Sequence, residues 1–260
     1  MNVKKLLLAL LFTGYAGAPG WFAPTSAIAA ETLQLKIGVK QAMDATLYKP
    51  AGAGPFPAVL VLHTSSGLRP ADHAYASRLA DEGYVCLVPD FFTAYDLHEG
   101  NRQQTFTTHA QSIYADFVSA IGTLKKTEGV QADRIGAVGF SNGGYWALLL
   151  AARGDIQAGV SYYGAVSGAG TDKTLSALRN AFTSKSSPVL VLHGARDATV
   201  LPRYAEDLKS ILTDAKARYD FQMYQSAGHS YERGNLDREA ADDSWQRTLR
   251  FFDTRLKTKQ

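Results

Sequence analysis

Along most of this chain, short wholly apolar runs alternate with longer stretches in which apolar residues recur three and four positions apart. Residues 58–63 and 188–193 have no polar face, the pattern of a strand covered on both sides. The same reading predicts strands over 33–38, 42–48, 84–88, 134–140, 157–163 and 219–224, eight strands in all. Helices are predicted over 71–82, 103–126, 142–152, 175–182, 204–212 and 238–256. Gly83 ends the first of these, and Pro89 stops the strand that follows it. The first two strands read as a hairpin. The alternation after them implies βαβ units, and so a mostly parallel sheet with helices on both faces. No repeat, low-complexity tract or Pro/Gly/Ser linker interrupts the pattern, and a single domain over 30–260 is expected.

The first 29 residues break the pattern. Lys4 and Lys5 precede an apolar run over 6–12 that is too short to cross a bilayer. Ala27-Ile28-Ala29 is a small-x-small cleavage sequence. This is the composition of a secretory signal peptide, with an N-terminal anchor that stays attached as the alternative. A periplasmic or secreted protein is expected, with no stable membrane association once the leader is removed. Cys86 is the single cysteine, so no internal disulfide exists, and its apolar surroundings place it in the core. Apolar residues make up 46% and charged residues 20% of the chain, as in a globular protein with a substantial core. The net charge is +3 and the only basic run is a short C-terminal one, which gives no footprint for nucleic acid.

The candidate chemistry begins at Gly139-Phe140-Ser141-Asn142-Gly143. An apolar strand precedes it and a helix follows, so Ser141 stands at an abrupt corner that pushes its hydroxyl away from the sheet. Glycines two residues to either side suit a corner where strand and helix crowd together. The plainer alternative is an N-capping serine in a tight turn. Gly136, Gly139 and Gly143 do not make the G-x-G-x-x-G of a dinucleotide turn. A serine hydroxyl needs a base, and in α/β hydrolases acid and then histidine follow the serine in the chain. His73, His98 and His109 precede it, and His193 lies in a strand as a core residue. His229 follows the last strand in a loop, where the base belongs, and Asp197 follows the seventh strand, where the acid belongs. Asp197 also fits a turn or N-cap, while Asp172 and Asp207 are placed less well. For the oxyanion, the backbone N–H of Asn142 and that of Ser65, or alternatively Thr64, are the candidates. Neither a H-E-x-x-H sequence nor a cysteine cluster is present, and no metal or organic cofactor is implied.

Five segments resemble the dienelactone hydrolase family of α/β hydrolases: 61–67, 83–90, 139–144, 193–197 and 227–231. The resemblance implies an eight-stranded α/β-hydrolase fold and hydrolysis of a small ester or lactone through an acyl-enzyme on Ser141. It also places Arg233 where some members bind a substrate carboxylate. Founding members carry a cysteine where Ser141 stands and a glutamate near Thr64. They have a second arginine after the fourth strand, where this chain has Phe91 and Phe92. Thr64, Phe92 and Arg233 are therefore the candidate substrate contacts, with core packing for Phe92 and surface exposure for Arg233 as alternatives. Connections between the sixth and seventh strands are short, so no large lid is expected. Two other functions fit the same residues: a peptidase or amidase, and a catalytically silent binding protein.

Overall fold

The computed structural model describes residues 29–38, 41–166, 172–233 and 236–257. The expected leader, 1–29, lies outside them except for Ala29. Eight strands form one sheet: β1 (Ala29–Ile37), β2 (Gln41–Lys49), β3 (Phe56–Leu62), β4 (Val85–Pro89), β5 (Val130–Phe140), β6 (Ala158–Tyr162), β7 (Val189–Gly194) and β8 (Tyr219–Tyr224). Their spatial order is β1-β2-β4-β3-β5-β6-β7-β8. The β1–β2 and β2–β4 pairings are antiparallel, and every later pairing is parallel. β3 shows why the central strands read as unbroken apolar runs. Ala58, Leu60 and Leu62 enter the core on one face of the sheet, and Val59 and Val61 enter that on the other.

Among the described residues the α-helices are α1 (Pro70–Asp81), α2 (Phe91–Ala94), α3 (Ala110–Lys126), α4 (Asn142–Arg153), α5 (Asp172–Ala181) and α6 (Pro202–Asp214) between strands, and α7 (Arg238–Phe252) after the last of them. The helix expected over 103–126 is divided. A 3-10 turn spans Arg102–Phe106, the chain breaks at Thr107 (φ −128°, ψ −91°), and α3 starts at Ala110. Around the break Thr105 Oγ1 donates to Arg102 O at 2.5 Å and Thr107 Oγ1 to Gln103 O at 3.0 Å. The one-turn α2 was not expected. Asp90 caps it, accepting from the N–H and the hydroxyl of Thr93. The last helix gives way at Asp253 to a wider turn over Asp253–Lys257.

Asp72, in the first turn of α1, is buried and accepts the Arg69 N–H at 2.8 Å. Burial pushes its carboxyl up to about 6, although the Arg69 N–H and the charge of Arg233 pull the other way. An acid raised in the folded state binds protons that the unfolded chain has released, so its contribution favours folding at low pH and fades as pH rises through about 6. An asparagine at this position would keep an acceptor for the Arg69 N–H without the charge. The stability of Asp72→Asn relative to wild type is therefore expected to improve by about 1–2 kcal/mol between pH 5 and pH 8. Urea melts at the two pH values measure this, and a pH-independent difference would refute it.

Candidate active site

Ser141 sits in the left-handed region, with φ 51° and ψ −108°, a conformation that costs a residue with a Cβ. The structure holds it there from several sides. Its N–H donates to Tyr162 O at 3.0 Å, and its carbonyl accepts from Gly144, Tyr145 and Ala165. The flanking glycines are steric requirements. A Cβ on Gly139 would lie 2.0 Å from Gly143 O, and one on Gly143 would lie 2.1 Å from Leu62 O. α4 can leave the sheet at Ser141 only because these two positions carry no side chain.

The loops after β7 and β8 meet. A Cβ on Gly194 would stand 2.4 Å from Ala227 O, and Arg196 N–H donates to that same carbonyl at 2.9 Å. This contact brings Asp197 to His229. Asp197 Oδ2 is 2.7 Å from His229 Nδ1, and Oδ1 accepts the N–H groups of Thr199 and Val200, each at 2.8 Å. The turn role and the partner role of Asp197 thus coexist on separate oxygens. Burial pushes its carboxyl up, but the hydrogen bond and charge of His229 and the two N–H donors outweigh it, so it titrates below the ordinary range. His193 is the satisfied core residue expected. Burial pushes its pKa down, and its Nε2–H donates to Val200 O at 2.9 Å, bracing the Asp197 turn from beneath.

The His229 ring packs against that of Tyr163, with centroids 4.4 Å apart. Tyr163 follows Tyr162, whose carbonyl receives the Ser141 N–H. The elbow and the imidazole therefore contact consecutive residues, Tyr162 and Tyr163. Among the described residues Ser141 Oγ makes no hydrogen bond. The structure joins Asp197 to His229 and leaves the serine hydroxyl without a hydrogen-bond partner among the described residues.

Neighbouring bonds leave two N–H groups free beside the serine. Ser66 N–H goes to Thr64 Oγ1, Gly67 N–H to Thr64 O, and Gly143 N–H to His63 O. Among the described residues no acceptor takes the N–H of Ser65, and that of Asn142, the first in α4, has no partner in its own helix. Thr64 shapes the loop through its hydroxyl. Phe92 is buried with its ring edge-on to His63, and Phe91 stacks on that imidazole with centroids 3.9 Å apart. Burial lowers the pKa of His63 to about 4, so a neutral ring lies beneath the loop. Arg233 Nε is 3.5 Å from Glu232 Oε1, and the two line a cavity of about 260 Å³ with Asp72, Tyr75 and Phe140.

Sequence reasoning gives Asn142 only a backbone role. Its side chain is fully buried and ties three elements together. Nδ2 donates to Ser65 Oγ at 3.3 Å and to Thr105 Oγ1 at 3.2 Å, and Oδ1 accepts from Trp146 Nε1 at 3.2 Å. Thr105 escaped notice because it fell inside the expected helix 103–126. Asn142→Ala would cut the Ser65 loop loose from α4. A fall in kcat of about tenfold to a hundredfold is expected, somewhat less than the loss of a whole oxyanion donor. Steady-state kinetics on an activated ester would measure it, and a kcat within a factor of two of wild type would show the anchor to be dispensable.

A strained serine at a strand–helix corner and a hydrogen-bonded Asp–His pair at the carboxyl end of a mostly parallel sheet define an α/β hydrolase. The profile of the Dienelactone hydrolase family matches residues 43–256, and the chain belongs to that family. It is a hydrolase of the ester- and lactone-cleaving class. The carboxymethylenebutenolidase of Rhodococcus opacus is 28% identical over 219 residues, covering 81% of this chain and 86% of that protein. A Klebsiella pneumoniae structure provisionally named a dienelactone hydrolase is 26% identical, with a TM-score of 0.76 over 87% of this chain and 99% of the other. A dienelactone hydrolase-like promiscuous phosphotriesterase from metagenomic libraries shares the fold, at 22% identity and a TM-score of 0.72, covering 88% of this chain and 99% of that one.

Proposed function

We propose that this protein is an exported serine hydrolase that cleaves a small carboxylic ester or lactone. The observation that carries the proposal is the strained, unengaged Ser141 together with the hydrogen-bonded Asp197–His229 pair, both at the carboxyl end of the sheet. Ser141 Oγ attacks the carbonyl carbon while His229 Nε2 takes the hydroxyl proton. Asp197 holds the Nδ1–H tautomer and stabilises the imidazolium. The oxyanion is received by the N–H groups of Ser65 and Asn142. Collapse of the tetrahedral adduct breaks the C–O bond, and His229 returns its proton to the leaving alkoxide. Water, deprotonated by the same imidazole, then hydrolyses the acyl-enzyme and restores the serine. The pairing of Arg233 with Glu232 favours substrates without a free carboxylate. Thr64 and Phe92 contribute by shaping the oxyanion loop and its floor. Export rests on the basic, apolar and small-x-small order of the first 29 residues.

A fluorophosphonate probe tests the chemistry directly. One equivalent of label on wild type and none on Ser141→Ala is expected. Equal labelling of both proteins, or no labelling of wild type, would end the proposal. Export is tested by the N-terminus of the protein recovered from the periplasm or medium, which is expected at residue 30.

A further inference from the structure

The end of the sheet opposite Ser141 gathers arginines that the proposed reaction does not use. Arg134 lies in β5, Arg218 immediately precedes β8, and Arg255 lies in the turn that ends α7. The three line one cavity of about 280 Å³ together with Asp133, Gln157 and Ser187. Arg255 also forms a wall of a second cavity of about 300 Å³ that contains Arg247 and Arg250.

Four arginines elsewhere pair with carboxylates: Arg179 with Asp214, Arg233 with Glu232, Arg238 with Asp242 and Arg247 with Asp243. Among the described residues neither Arg218 nor Arg255 has a carboxylate within ion-pair distance. Arg218 makes one long bond, Nη2 to Ser186 O at 3.3 Å. Arg255 Nε is shielded from water and bonded to nothing, an expensive state for a guanidinium N–H. Turning Arg255 toward the cavity therefore breaks no hydrogen bond and offers a stranded donor a partner. Arg134 is held differently. Its Nη1 donates to Leu256 O at 3.0 Å and Lys257 O at 2.9 Å, which fixes the turn bearing Arg255 against β5. Among the described lining residues, Arg218 and Arg255 face the cavity with Asp133 as its carboxylate, and Arg134 is already engaged. Planar forks suit a ligand that presents several oxygens and more than one negative charge.

We propose that this cavity is a binding site for a phosphate-type oxyanion, held by the Arg218 and Arg255 forks in the field of Arg134. The anion comes either from a soluble phosphate compound or from a lipid headgroup. The site is independent of the hydrolase reading, and Ser141→Ala protein is expected to bind as wild type does.

Inorganic pyrophosphate titrated calorimetrically into the full-chain protein at low salt tests the proposal. Saturable binding at one site is expected, with a rise in Tm that follows occupancy. Arg255→Gln and Arg218→Gln are each expected to weaken binding by about tenfold or more. The second variant keeps the test decisive should the first fold poorly. Co-sedimentation with phosphatidate vesicles, reversed by pyrophosphate, would support the site with a headgroup as the source. Pyrophosphate binding without vesicle association would support it with a soluble source. No saturable binding to wild type, or unweakened binding by the folded variants, overturns it.

Discussion

Ser141→Ala is expected to lower kcat for p-nitrophenyl acetate by about 10⁴-fold or more while leaving the protein folded. No other group stands ready to replace the hydroxyl. Ser65 Oγ is taken up by Asn142 Nδ2, and Cys86 is fully buried in β4. Activity left in the variant would come from the free N–H groups and substrate positioning alone. Because Ser141 Oγ makes no hydrogen bond among the described residues, its removal severs none there. A stability change of no more than about 1 kcal/mol is expected. The pairing of a large kinetic loss with a small thermal one is the signature to seek. Turnover within tenfold of wild type would show that another nucleophile, or none, does the chemistry.

Asp197→Asn is expected to reduce kcat by about 10⁴-fold through the tautomer of His229. The substituted amide can still accept the N–H groups of Thr199 and Val200 through its oxygen, so the turn survives. Its NH₂ then faces His229 Nδ1 and makes that nitrogen an acceptor, which moves the ring proton to Nε2, where the serine proton must arrive. Stability carries a second trace, opposite in sign to that of Asp72. An acid held below its ordinary range stabilises the fold above the unfolded pKa, and this contribution is lost as pH falls through the folded one. The variant should therefore differ from wild type in stability mainly at neutral pH and converge with it in acid. A variant retaining more than a tenth of wild-type turnover would remove Asp197 from the mechanism.

Periodicity made the central strands legible, because each is apolar on both faces and is bounded by a glycine, a proline or a polar turn. The elbow was legible as well. Steric exclusion at Gly139 and Gly143 leaves a glycine spacing that no ordinary turn requires. Chain order after the elbow pointed to Asp197 and His229, and the contact of Gly194 with Ala227 is the physical reason their loops coincide. The break at Thr107 was hidden because it is a change of backbone dihedrals, which a count of apolar spacing does not register. Thr105 was hidden with it. The buried hub at Asn142 depends on two partners distant in sequence, Ser65 and Thr105, and no local pattern encodes their convergence. α2 is held by one aspartate and one threonine, too few residues to show a period. The engagement of Arg233 by Glu232 depends on the path of the chain after His229, which motif matching leaves open.

Cys86 lies in β4 with no exposed surface, and burial drives its thiol well above the ordinary range. In its folded form the chain therefore carries no addressable sulfur. A cysteine introduced at any exposed position would be the sole site for a maleimide dye or spin label, without prior deletion of a native residue. Placed at Ser141 itself, it would give a variant whose nucleophile could be titrated with thiol reagents free of background.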